Sequence, residues 1–213
     1  MIFAAIIAAT IASANADINY EFYGVFSDSS CATASGFYQL GTTTTSCASV
    51  LATSCNSGGK PVSCGVFSSS SEASTPYAPP TAGSFIIADT FNNNGSCASA
   101  NYTDFAAAYY YPVNSCMPVY QQNSTQVIAN STYINIYTYP TNNCTGTATI
   151  QSSTPASAVG GCYQNVKVRY GTFSSTGTFS AGTVPGTSAA PSKIGANALI
   201  TLIVPLVAAL TML

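Results

Sequence analysis

The chain contains no histidine and no tryptophan, and only 10 of its 213 residues are charged, six acidic and four basic. Soluble domains ordinarily carry roughly 25% charged residues. Each shortage removes chemistry. Without His there is no Ser-His-Asp or Cys-His nucleophile system and no His-ligated metal. A net charge of −2 with four cations cannot build a phosphate-binding face, so nucleic acid is excluded as a partner. The carboxylates are Asp17, Glu21, Asp28, Glu72, Asp89 and Asp104. No motif pairs two of them as a glycosidase requires. Asp89-Thr90-Phe91 lacks the glycine of an aspartic-protease loop, and Gly-x-Ser-x-Gly does not occur. Asp28, Asn93, Asn94 and Asn142 offer oxygens at turns, but no loop has the acidic groups of a strong calcium site, so they read as Asx caps. The expectation is a protein without catalytic residues, metal or cofactor, and a secreted hydrolase is the least supported alternative.

What replaces charge is hydroxyl and amide: 55 Ser and Thr, and 15 Asn. The two ends are apolar instead. Residues 1–16 read MIFAAIIAATIASANA and close in Ala14-Asn15-Ala16 before Asp17, a small-x-small signature that predicts a signal peptide cut after Ala16, although no Lys or Arg precedes the apolar run. As a helix, sixteen residues cover about 24 Å, short of the roughly 30 Å hydrocarbon core. Residues 198–213, ALITLIVPLVAALTML, form a second uncharged run, preceded by a mostly polar spacer and the small residues Gly186-Thr187-Ser188-Ala189-Ala190. That order predicts a removable GPI-anchor signal over 189–213, with attachment at Ser188 and Gly186 as the alternative. A C-terminal transmembrane helix is the competing reading, and Pro205 weakens it.

All eight cysteines, Cys31, Cys47, Cys55, Cys64, Cys97, Cys116, Cys144 and Cys162, fall between these ends. A secretory route makes them disulfides, and no Cys-x2-Cys or Cys-x4-Cys spacing suggests zinc. Alignment on cysteine exposes three imperfect copies of an aromatic-ended apolar run, a turn and a Cys: residues 18–31, 85–97 and 133–144. The repeat suggests Cys31–Cys47, Cys97–Cys116 and Cys144–Cys162, leaving Cys55–Cys64, as one choice among 105 connectivities. Segments follow from this: a first Cys-rich repeat over 17–67, a Ser/Pro-rich linker over 68–83, a second repeat over 84–125, a third over 126–173 and a stalk over 174–188.

The runs alternate with period two. Ile18, Tyr20, Phe22 and Gly24 interleave with Asn19, Glu21 and Tyr23; Ile134 and Ile136 with Tyr133, Asn135 and Tyr137; Val166, Val168 and Tyr170 with Lys167 and Arg169. No stretch between the ends shows a convincing helical period. The expected fold is all-β, a disulfide-stapled antiparallel sandwich or barrel-like unit.

Five Asn-x-Ser/Thr sequons occur, at Asn94, Asn101, Asn123, Asn130 and Asn143. Composition alone would generate nearly as many; the secretory address is what makes them glycan acceptors. Asn143 is the weakest because its middle residue is Cys144. Sugars would supply the hydration that so few charges cannot. Among 14 Tyr, Tyr133, Tyr137 and Tyr139 stand at alternate positions, so that some face outward as ligand contacts, able to stack on sugars or on another surface. The expectation is a GPI-anchored glycoprotein on the extracellular face of the plasma membrane, held in the outer leaflet by lipid, with a coat or adhesion role toward glycans or other surface proteins. The alternative is a carbohydrate- or small-ligand-binding module.

Overall fold

The computed structural model describes residues 18–67, 79–92, 105–121, 123–163 and 165–185. The expected signal peptide, Ser188, the anchor signal, Asn94, Asn101, Cys97 and most of the 68–83 linker lie outside them.

The chain is all-β and antiparallel in two sheets, as the alternating runs require. Its strands are β1 (Ile18–Phe26), β2 (Ala34–Thr43), β3 (Gly59–Phe67), β4 (Gly83–Phe91), β5 (Phe105–Pro112), β6 (Cys116–Pro118), β7 (Ser124–Ala129), β8 (Tyr133–Tyr139), β9 (Thr149–Pro155), β10 (Cys162–Tyr163), β11 (Val166–Phe173) and β12 (Phe179–Ala181). The large sheet runs β10-β11-β4-β5-β2-β1-β3, with β12 also on β11; the small sheet runs β6-β7-β8-β9. The large sheet thus takes strands from all three segments defined by the cysteine repeat. One five-residue helix, α1 (Cys47–Leu51), departs from the reading that found no helical period: Ser46 caps it by accepting from the Ser49 N–H, and five residues are too few for a period to show.

Both faces of the large sheet bury side chains. One face joins the small sheet through Val25, Phe37, Ile86, Ala88, Tyr111 and Val168, which cluster with Met117, Val127, Ile134 and Ile136. The other is lined by Tyr20, Phe22, Tyr38, Leu40, Phe85, Ile87, Tyr110 and Phe173. Val62 of β3 and Phe179 of β12, from opposite margins of the sheet, both pack on that second cluster. Rings meet there in tilted and edge-on contacts, Phe22 with Tyr110 at 5.4 Å and Phe85 with Phe173 at 5.9 Å, the arrangements that ring quadrupoles favour. Each fully buried ring of this size contributes a few kcal/mol of apolar transfer.

Residues 174–185, expected as the start of a stalk, return as a hairpin instead. β12 pairs Phe179 with Phe173 across a tight turn at 174–178. The Phe179 ring lies over Gly171, where any Cβ would collide with it. Val184 is buried in the inter-sheet cluster. The apolar spacing of Phe179 and Val184 is what overrides a composition that otherwise reads as linker.

The disulfide pairing also differs. The bridges are Cys31–Cys55, Cys47–Cys64 and Cys116–Cys144, and Cys162 is disulfide-bonded as well; Cys31–Cys47, Cys55–Cys64, Cys97–Cys116 and Cys144–Cys162 are not formed. Strand order is the reason. β1 lies between β2 and β3, with Val25 opposite Gly59 and Glu21 opposite Cys64. The loop after β1, with Cys31, therefore meets the segment before β3, with Cys55, while Cys47, beyond the end of β2, meets Cys64 within β3. In the small sheet Cys116 sits opposite Gln126, and the Cys144 N–H donates to Ser124 Oγ at 2.7 Å, so one bridge closes that end of the sheet.

Candidate functional site

The three tyrosines singled out in the sequence share one strand. On β8, Ile134 and Ile136 point into the inter-sheet core, so Tyr133, Asn135, Tyr137 and Tyr139 take the opposite face. Tyr133 is 46% exposed, and Tyr137 and Tyr139 are half-buried. The row is tied by side-chain hydrogen bonds: Tyr139 Oη donates to Gln126 Oε1 at 2.9 Å, and Asn135 Nδ2 to Tyr137 Oη at 3.3 Å. Ile150, opposite Tyr137 on β9, is 56% exposed. The result is an uncharged strip of phenols and amides.

Sequon asparagines flank this strip. Asn130 is exposed in the β7–β8 turn, where its Oδ1 accepts from the N–H groups of Thr132 and Tyr133, both at 2.9 Å. Asn123 and Asn143 are exposed at the opposite end, next to a knot in which Ser124 Oγ donates to the Thr141 carbonyl at 2.6 Å. The Thr145 hydroxyl donates to Asn143 Oδ1 at 2.7 Å. All three side chains stand on turns and not on a packed face.

Asp28 is the Asx cap expected from its place in a turn. Its Oδ1 accepts from the Ser30 N–H and hydroxyl and from the Ala32 N–H, and its Oδ2 from the Thr33 N–H at 2.7 Å. These donors, the Ser30 hydroxyl first, hold its carboxyl well below the usual carboxylate range. They also set the loop in which Cys31 takes a left-handed φ of 52°.

A second site was missed in the sequence. The small sheet covers only part of the large one, and beyond its margin β1 and β2 form the floor of a cleft of about 260 Å³. Glu21, Tyr23 and Val25 alternate on β1, and Phe37, Gln39 and Gly41 on β2. Glu21 stands opposite Gly41, and Tyr23 opposite Gln39. The turn at residues 56–59 makes the wall, closed by reciprocal hydrogen bonds between Asn56 and Gly59. Gly59 lies against the Tyr23 phenol, which leaves no room for a Cβ. Gly58, at φ +78°, passes within 2.5 Å of Tyr120 Cβ when a Cβ is added. Burial pushes the Glu21 carboxyl up, and burial together with the Glu21 charge pushes the Tyr23 phenol up. The alternation of Glu21 with Tyr20 and Phe22 was legible, but the meeting of Glu21 with Gly41 and Gln39 needs the strand register.

Among the described residues no group of three His, Cys, Asp or Glu could hold a metal ion, and no helix is long and apolar enough to cross a membrane. No protein-family model, curated protein or solved structure matches this chain.

Proposed function

We propose that this chain is a GPI-anchored extracellular glycoprotein with a coat or adhesion role at the plasma membrane. The observation that carries the reading is the stapling of the β-unit by Cys31–Cys55, Cys47–Cys64 and Cys116–Cys144, which an oxidising compartment maintains and a reducing cytosol does not. The exposed Asn123, Asn130 and Asn143 are consistent with glycans at both ends of the small sheet, and the small residues around Ser188 with a lipid attachment that holds the unit on the outer leaflet. Contact is then the activity, and the phenol strip on β8 is the surface that supports it. Treatment of intact cells with a phosphatidylinositol-specific phospholipase should release a glycosylated chain lacking residues 189–213. Retention on the cell with the apolar tail still present would replace the anchor with a span. An antibody against the small sheet should reduce cell attachment.

The row of Tyr133, Tyr137 and Tyr139 favours one second reading, a carbohydrate-binding module, because aromatic faces stack on pyranose rings. A glycan-array signal abolished by Tyr137→Ala would select it.

A further inference from the structure

We infer that the cleft between β1, β2 and the 56–59 turn is a binding site for a single neutral sugar ring, separate from the phenol strip of the small sheet. The two lie on different sheets, and the inference does not depend on the anchor or on the compartment.

The cleft has the parts such a ligand needs. The side chains of Glu21 and Gln39 have no hydrogen-bond partner among the described residues, and no Lys or Arg lines the cleft. In a chain with so few carboxylates, this one is half-buried beside aromatic rings with its acceptor capacity unused. A carboxylate offers two oxygens that accept from neighbouring hydroxyls, and a primary amide offers both donors and an acceptor. Tyr23 adds a phenol and a ring face, and Phe37 an apolar floor. Gly41 supplies the space: a Cβ built there meets nothing within 4 Å, so the position across from Glu21 is open.

The donor and acceptor inventory selects the class. An ammonium would use Glu21 but leave the Gln39 amide hydrogens idle against a donor-only group. A divalent cation needs several oxygen ligands, and the cleft holds one carboxylate. A ring bearing several hydroxyls is both donor and acceptor and satisfies Glu21, Gln39 and Tyr23 together. About 260 Å³ lies just below the range of roughly 300 to 1,000 Å³ typical of drug-sized ligands, which suits one ring and not an oligosaccharide.

The test is saturation-transfer NMR on the protein purified as a secretory host processes it, with glucose, galactose, mannose and N-acetylglucosamine each at millimolar concentration. At least one should bind. Glu21→Gln should weaken that binding by at least about tenfold, the loss of one charge-assisted hydrogen bond. Gly41→Val should abolish it, because the added side chain fills a position where a Cβ meets nothing within 4 Å, and an unchanged thermal midpoint would show that the fold is kept. No binding by any of the four sugars would overturn the inference, as would binding that survives both substitutions. Glu21-dependent binding of ethanolamine in place of the sugars would also overturn it, by making the cleft a cation site.

Discussion

Arg169 grips Asp89 with two parallel contacts, Nη2 to Oδ1 and Nε to Oδ2, both at 2.7 Å, on the aromatic-lined face of the large sheet. Asp89 is fully buried and the Arg169 side chain is 12% exposed. The two come from adjacent strands β4 and β11, where Lys167 stands directly across from Asp89. One of four cations in the chain is therefore committed to the interior, and the fork geometry of guanidinium suits the carboxylate better than an ammonium would.

Removing one partner leaves the other charge buried. Asp89→Leu or Arg169→Met should each cost about 3 to 5 kcal/mol. The double variant Asp89→Leu with Arg169→Met should recover much of that loss, since an apolar pair avoids desolvation altogether. Urea unfolding of the three variants against the parent checks the coupling. Additive losses would show that the pair does not act as a unit.

Asp28 gives a pH dependence with a definite sign. Its folded-state carboxyl lies below the ordinary range, whereas an unfolded Asp titrates near 3.9. The contribution is therefore fully present above about pH 4 and is lost as pH falls further toward the folded value. The difference in urea midpoint between the parent and Asp28→Ala should be constant near neutrality and shrink on acidification below about pH 4. A difference that grows in acid would reverse the assignment.

Period two made β1, β8 and β11 readable, because each alternates apolar residues with polar ones. What alternation cannot report is whether the polar-looking face is wet. On β11 the alternation of Lys167 and Arg169 with apolar residues does not tell which face is buried, and Arg169 points toward a buried face because Asp89, 80 positions earlier in the chain, meets it there. The cysteine pairing failed for a related reason. Local spacing favours neighbours such as Cys31 and Cys47, but the order β2-β1-β3 crosses them. Tyr133, Tyr137 and Tyr139 could be grouped from the sequence because one strand carries all three, whereas the cleft at Glu21 depends on a register between two strands.

The bridges make a sharp chemical prediction. Non-reducing peptide mapping should recover Cys31 with Cys55, Cys47 with Cys64, and Cys116 with Cys144. The loops they close span 24, 17 and 28 residues, for which chain entropy gives roughly 3 to 4 kcal/mol each. Cys116→Ala with Cys144→Ala should therefore lower the urea midpoint substantially. Recovery of Cys31 linked to Cys47 would restore the repeat-based pairing and undo the strand order proposed around β1.

Tyr111 should be improvable. Its ring is buried against Phe37 at 5.1 Å in the inter-sheet core, and its hydroxyl is buried with no hydrogen-bond partner among the described residues. Burial, with Tyr109 adding a smaller effect, pushes the phenol far above its usual range. A buried hydroxyl without a partner costs about 1 to 3 kcal/mol of desolvation, and phenylalanine keeps the ring while removing that cost. Tyr111→Phe should raise stability by about 1 kcal/mol, a shift of about 2 to 4 °C in the thermal midpoint of a chain this size. A lowered midpoint would mean that the hydroxyl has a hydrogen-bond partner in the folded protein and would overturn the prediction.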